Sequence, residues 1–215
     1  MNSGGKTLLD IDYIQEKLNK RPPKSMERVD EFAVLIPLIN NNGKWEVIYE
    51  LRAMDMESQP GEVSFPGGRV EEGETFRQAA IRETVEELNI EEKNIRVLGE
   101  LDYLVSYAHL EIHCFLAVIS GINVDKIIPN PSEVDHLFTV ALDFIINNEP
   151  KGYNLEMETK YSEEFPYNLI PNGKNYSFRK SERTIYFYEY NDYIIWGYTA
   201  SMTKHLTELF KDLHE

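Results

Sequence analysis

Two short apolar stretches separated by a polar break stand out early in the chain. EFAVLIPLI, residues 31 to 39, is a continuous apolar run of strand length, the pattern of a buried strand. NNNGK is a turn, and WEVIYELRA, residues 45 to 53, then alternates Trp45, Val47, Tyr49 and Leu51. Period two after a turn predicts a hairpin partner for the first strand. Upstream, Leu8, Ile11, Ile14 and Leu18 recur at helical spacing in TLLDIDYIQEKLNK, residues 7 to 20, with Asp10 or Thr7 as cap, and RPPK ends that helix. Residues 1–28 are expected as an N-terminal helical extension and residues 29–215 as one domain. Downstream, NIRVLGELDYLVS, LEIHCFLAVI and TIYFYEY read as strands, PNPSEVDH as a polar loop, and LFTVALDFIIN as a strand running into a short helix. YIIWGYTASMTKHLTELFKDL reads as a closing amphipathic helix with Ala200, Thr203, Leu206, Leu209 and Phe210 on one side. Residues 150–184 are polar and rich in tyrosine, and are expected to form an irregular insertion.

The stretch FPGGRVEEGETFRQAAIRETVEELNI, residues 65 to 90, combines a Pro/Gly loop with a helix predicted from about Glu74 to Leu88, begun by Gly73 or Glu74 and ended by Asn89. At about 100° per residue, Ile81, Val85 and Leu88 form one stripe, read as the core face. Glu83, Glu86 and Glu87 fall on the opposite side, in one arc with Phe76, Ala79 and Ala80, so that something is expected to pack or dock there. Each like-charge pair at i, i+3 or i, i+4 costs roughly 0.2–0.5 kcal/mol. Glu86 and Glu87 also sit at the end of the helix dipole that disfavours anions. Arg82 relieves Glu86 at i+4 but not all three glutamates. A hard divalent cation is the natural missing partner, because Mg²⁺ and Mn²⁺ prefer carboxylate oxygen.

Charge narrows the choice of partners. With 22 Lys and Arg against 37 Asp and Glu, the net charge is −15. That argues against free nucleic acid and anionic membrane surfaces, while an anionic small molecule would need a metal or a local basic patch. The one cysteine, Cys114, lies in an alternating apolar run and reads as a core thiol. No run of 18 apolar residues occurs and the N-terminus has no apolar signal core, so a reducing, cytoplasmic setting is the expectation. A homodimer is compatible with the pattern.

The spacing from Gly68 through Glu74, Arg82-Glu83 and Glu86-Glu87 to Ile90 resembles the Nudix box, the signature of hydrolases that cleave nucleoside diphosphates linked to another moiety. Asn89 stands where that family usually has Gly, and Asn is the next-best residue for a left-handed helix C-cap. The resemblance implies an α/β Nudix fold, a mixed β-sheet sandwiched between α-helices. It implies that Glu83, Glu86 and Glu87 ligate Mg²⁺ or Mn²⁺ and carry catalysis, with Arg82 orienting them and Glu74 in support. Gly67 and Gly68 would bring the loop close to the helix and admit the diphosphate.

The flanks resemble the coenzyme A diphosphatase subfamily. Its upstream pattern is roughly two apolar residues and Thr, any residue, Arg, Ser or Ala, then an Arg, a Gly and Phe-Pro-Gly-Gly. Arg52, Ala53, Gly61 and Phe65 through Gly68 match, whereas Glu57 stands where the second Arg would be and Glu50 does not match. NPSEVDHLFTVALDFII, with Glu133, and YIIWGYTASM, with Trp196 and Gly197, resemble downstream segments of that subfamily. This implies hydrolysis of coenzyme A or its thioesters to 3′,5′-ADP and 4′-phosphopantetheine, with Arg52 as a phosphate-binding residue. The alternatives are cleavage of ADP-ribose, NADH or another nucleoside diphosphate, or a non-catalytic binding module, against which the three intact glutamates stand. Glu133 reads as a turn cap or a further carboxylate near the metals. Lys174, Arg179, Lys180 and Arg183 read as a solvated basic surface, with contact to a substrate phosphate as the alternative, and His109 and His113 as strand residues rather than a catalytic pair.

Overall fold

The computed structural model describes residues 10–23, 25–178 and 180–213. Asp10 caps α1 (Ile11–Lys20), its carboxylate accepting from the Tyr13 N–H at 3.2 Å. Thr7, Leu8 and Arg179 lie outside the described residues. The hairpin forms as its pattern predicts, from β1 (Asp30–Asn41) and β2 (Lys44–Arg52). At its turn Asn42 and Gly43 both take positive φ, 51° and 88°, which suits Asn-Gly and the twist of the two strands.

The two strands stay paired only near that turn, Leu38–Asn41 against Lys44–Val47, and then separate. Residues 63 to 69 fill the split: β3 (Val63–Ser64) pairs with β2, and β4 (Gly67–Arg69) pairs with β1. The Phe-Pro-Gly-Gly loop is thereby built into the sheet. After it come α2 (Phe76–Leu88), β5 (Ile95–Glu100), β6 (Leu104–Val105) and β7 (Leu110–Ile119). Strand β7 runs parallel to β1 and pairs antiparallel with β5 and β6. Next, β8 (Val134–Ala141) covers the other edge of β2 and leads into α3 (Leu142–Asn147). The remaining elements are β9 (Lys151–Met157), β10 (Ser181–Tyr190), β11 (Tyr193–Trp196) and α4 (Gly197–Asp212), the three strands forming a second sheet.

One parallel pair in an otherwise antiparallel sheet makes the sheet mixed, and helices cover both faces. Because strand side chains alternate, Ile36 and Leu38 of β1 with Cys114, Leu116 and Val118 of β7 join Ala200, Met202 and Leu206 of α4 in one core. Ala33, Leu35, Phe115 and Ala117 point the other way, onto Ala79 and Ala80 of α2. Cys114 is a buried thiol of that first core. No helix among the described residues is long and apolar enough to cross a membrane.

Five expectations are corrected. The face of α2 that meets the sheet is not Ile81, Val85 and Leu88. It is Ala79, Ala80, Thr84, Glu87 and Leu88, while Ile81 and Val85 are half-buried on its flank. Two alanines let the helix sit close to the sheet, and Thr84 satisfies its buried hydroxyl on the Ala80 carbonyl at 2.7 Å. A helical wheel weighted by side-chain size favours the flank instead. The N-cap is Thr75, in a reciprocal capping box with Gln78, not Gly73 or Glu74. The segment 150–184 is not irregular throughout: β9 pairs along its length with β10, and Tyr193–Trp196 is a strand rather than the first turn of the last helix. His109 lies in a turn at φ 57°, not in a strand. Asn89 is left-handed, φ 52° and ψ 47°, as its C-cap position requires.

If the alanine face is the contact, Ala80→Leu should lower the stability read from urea unfolding by about 1–3 kcal/mol, the usual result of overpacking. An unchanged midpoint would contradict this placement of the helix.

Candidate active site

The loop entering the site is fixed before any charged residue appears. Phe65 is buried and stacks on Tyr49 with ring centroids 4.8 Å apart. The Pro66 carbonyl accepts from the Leu35 N–H at 2.9 Å. Gly67 then lies so close to β1 that a Cβ would stand 2.5 Å from the Ala33 carbonyl oxygen and 2.7 Å from the Val34 Cα. Backbone cannot yield as a side chain can, so this position requires glycine. A Cβ on Gly68 would meet Glu83 Oε1 at 2.2 Å. The first glycine thus lets the loop lie against β1, and the second leaves room for Glu83. The Gly67 N–H points at α2 and donates to Glu87 Oε2 at 2.8 Å.

Arg82 organises the acidic helix. Its Nε and Nη2 clasp Glu74 in a two-point contact at 2.8 and 3.0 Å, and Nη2 also reaches the Arg69 carbonyl at 3.1 Å. Nη1 meets Glu83 Oε1 at 2.8 Å and Glu86 Oε2 at 3.3 Å. Such planar, charge-assisted bonding holds carboxylates in fixed orientation. The Arg82 bonds hold the Glu74 carboxyl below its usual range. Glu83 is pushed up all the same, because desolvation outweighs Arg82. Glu86 is half exposed and shares only Arg82 with the others.

Deeper in, positive charge runs out. Glu87 is 4% exposed and Glu50, on β2, is 1% exposed. Burial pushes both carboxyls well above the ordinary range, and Glu50 raises Glu87 further, with lesser contributions from Glu83 and Glu133. Glu50 Oε1 accepts from the Ser64 hydroxyl at 2.8 Å, and Oε2 is buried with no partner. Taking an ionised carboxylate out of water costs several kcal/mol even after relaxation. One hydrogen bond to a charged group returns about 1.5–3 kcal/mol. Two buried carboxyls with one such bond each therefore need a proton or a cation between them.

The loop after β7 closes this end of the site. The Asn130 N–H donates to the Glu87 carbonyl at 2.9 Å, and the Asn89 side chain donates to the Ile128 carbonyl at 3.2 Å. Glu133 is held by the Asn130 side-chain amide at 3.1 Å, and its carbonyl accepts from the Ala53 N–H at 2.9 Å. Arg52 ends β2 next to it. Its backbone pairs with Gly61 and Glu62, closing the intervening loop, and Nη2 donates to the Ser58 carbonyl at 3.3 Å while Nε is buried and unpaired. It is close enough to Glu50 to lower that carboxyl's proton affinity.

The structure therefore gathers Glu83, Glu87, Gly67 and Gly68 at one place, with Arg82 beside them, Glu86 on the exposed rim and Arg52 at the border. Lys180 pairs with Glu158 at 3.7 Å, and Arg183 lies over the Tyr198 ring at 4.4 Å. His113 is stacked on Phe76 at 3.6 Å, with its ring nitrogens on Glu100 and Glu111. The residue that sequence reasoning missed is Glu50. Its signal was an acidic side chain inside the apolar strand run VIYEL.

Carboxylate oxygen suits a hard divalent cation. As the side chains stand, no three His, Cys, Asp or Glu among the described residues form a ready metal-holding group, and Arg82 engages Glu83 and Glu86. The fit rests on the unbalanced charge around Glu87 and on the buried, orphaned Glu50 Oε2.

Known proteins of one family resemble this chain. A family model describing the NUDIX domain matches residues 30–159. Nudix hydrolase 3 of Caenorhabditis elegans is 27% identical over 97% of this chain and 85% of its own length. The mitochondrial coenzyme A diphosphatase NUDT8 of Mus musculus is 30% identical over 67% of this chain and 70% of its own. Among solved structures, a MutT/nudix family protein from Enterococcus faecalis superimposes with a TM-score of 0.51 at 13% identity, over 94% of this chain and 69% of that one, a likeness of fold.

The buried pair gives a pH signature. A carboxyl whose proton affinity is raised on folding contributes stability that is fully present below its unfolded value, near 4.5, and is lost as pH rises through its folded value. In chelator, the melting temperature should fall from mildly acidic to alkaline pH. Glu87→Gln should flatten that slope and raise the melting temperature at neutral pH. A metal-free melting temperature that rises with pH in the unmodified chain would contradict the shared burial.

Proposed function

Since this chain belongs to the Nudix family and is a Nudix hydrolase, a diphosphatase, we propose that it cleaves the diphosphate of coenzyme A or its thioesters, giving 3′,5′-ADP and 4′-phosphopantetheine or its acyl form. The observation that carries the reading is the continuity of the upstream motif with the carboxylates. Arg52, Gly61 and Phe65 through Gly68 lie in one hydrogen-bonded unit that ends on Glu87. Similarity to the mouse coenzyme A diphosphatase over 67% of this chain supports the same choice.

In this reading Glu83, Glu86 and Glu87 hold Mg²⁺ or Mn²⁺. When bound, the cation neutralises the diphosphate and makes water acidic enough to attack. The Gly67 N–H keeps Glu87 Oε2 in place. Arg82 turns Glu83 and Glu86 toward the same rim of the helix while Glu74 anchors its other edge. Arg52, whose exposed Nη2 is held only by a 3.3 Å bond to the Ser58 carbonyl, offers a phosphate oxygen a charged donor. Water adds to one phosphorus, a bridging P–O bond breaks, and two phosphomonoesters leave. The small anionic substrate fits a chain of net charge −15 only through such local help. The buried thiol Cys114 suits a reducing setting, the cytoplasm among them.

The test is a panel of diphosphates incubated with Mg²⁺ or Mn²⁺ and again with chelator, the products separated by chromatography. We expect no turnover in chelator and kcat/KM for coenzyme A at least about tenfold above that for ADP-ribose, roughly 1.4 kcal/mol of transition-state binding. Arg52→Ala should narrow that gap. Equal or better use of ADP-ribose would overturn the coenzyme A assignment and leave the Nudix assignment standing.

A further inference from the structure

Glu50 is the least expected residue of the site. It lies in β2 between the buried ring of Tyr49 and Leu51, with Ser64 of β3 on one side and Leu137 of β8 on the other. Strand alternation places it on the same face as Ile48, which packs against Leu88 at the end of α2. A carboxyl is thus held inside the sheet–helix contact, where an apolar or hydroxyl side chain would be expected. Most buried side-chain polar atoms find a hydrogen-bond partner. Here Ser64 serves Oε1, while Oε2 is enclosed without a partner. The side chains whose charges bear on Glu50 are Arg52, which offsets it, and Glu133 and Glu83, which add to it. Glu87 in turn feels the charge of Glu50.

We propose that Glu50 is a further ligand of the divalent cation, presenting its buried, unpartnered Oε2 from β2 opposite the glutamates of α2. The ion would then be gripped from two elements, the sheet and the helix. The Ser64 hydroxyl sets the orientation of Glu50 by holding its other oxygen. Binding would join β2 to α2 as well as neutralise their facing carboxylates. This rests on the metal-dependent reading above.

The test is Mn²⁺ binding to the full chain, followed by electron paramagnetic resonance of free Mn²⁺ at fixed neutral pH. Unmodified protein, Glu50→Gln, Glu50→Asp and Glu87→Gln are compared, each with a metal-free melting curve. Glu50→Gln keeps the shape and removes the charge. It should weaken Mn²⁺ binding at least tenfold while the metal-free protein melts no lower than the unmodified chain. Glu50→Asp, which withdraws the carboxylate by one methylene, should fall between. Unchanged Mn²⁺ affinity in Glu50→Gln, with affinity lost in Glu87→Gln, would overturn this inference and leave the metal-dependent reading intact. So would a Glu50→Gln chain that fails to fold without metal, since Glu50 would then be structural. No Mn²⁺ binding by the unmodified chain would overturn the metal-dependent reading and this inference with it.

Discussion

Glu87 places a carboxyl where α2 meets the sheet, and the rest of the site is arranged around that charge. Among the described residues the backbone N–H of Gly67 is its one hydrogen-bond donor, at 2.8 Å, and that donor is available only because Gly67 lies against the backbone of β1. Gly67 reaches β1 because β1 and β2 part after their turn and admit residues 63 to 69 between them. A strand split, a loop without Cβ atoms and a helix facing the sheet with alanines are three consequences of one demand: carboxylates must be buried close together without being cancelled by protein charge. Arg82 is engaged at the rim with Glu74, Glu83 and Glu86.

The arrangement explains how an acidic chain handles an anionic substrate. Burial raises the energy of the ionised carboxylates in the metal-free protein, so binding a cation relieves strain already present. In the proposed reading, that relief would fix the ion at the mouth of the Phe-Pro-Gly-Gly loop. Surface ion pairs elsewhere, such as Lys20 with Glu16 or Lys93 with Glu91, are exposed and contribute little by comparison.

Much of this was legible in the sequence. The Asn-Gly hairpin, the buried run that became β7 and the left-handed Asn89 follow from local chemistry that needs no tertiary partner. The grouping of Glu83 and Glu87 on one face followed from helical spacing, and so did their company with Ala79 and Ala80. What misled was the direction of that face. Ile81 and Val85 outweigh alanine on any hydrophobic scale, yet close approach to a sheet is set by the smallest side chains. The pairing of β9 with β10 was hidden for a different reason. The residues of β9 are largely exposed, and contacts with a partner some thirty residues away, such as Tyr153 against Phe187 at 5.6 Å, hold it as a strand. Glu50 was passed over because motif comparison treats a mismatch as noise. Next to Val47, Ile48 and Tyr49, a fully buried acid is better read as a charge in need of a partner.

The central claim is that the buried carboxylates between sheet and helix are balanced by a divalent cation. Anomalous diffraction from crystals of the full chain grown with Mn²⁺ at neutral pH tests it most directly. The account predicts a Mn²⁺ peak within coordination distance of Glu83 and Glu87, on the side facing β2. An ordered Glu87 with no ion near it, at Mn²⁺ concentrations that support turnover, would contradict it.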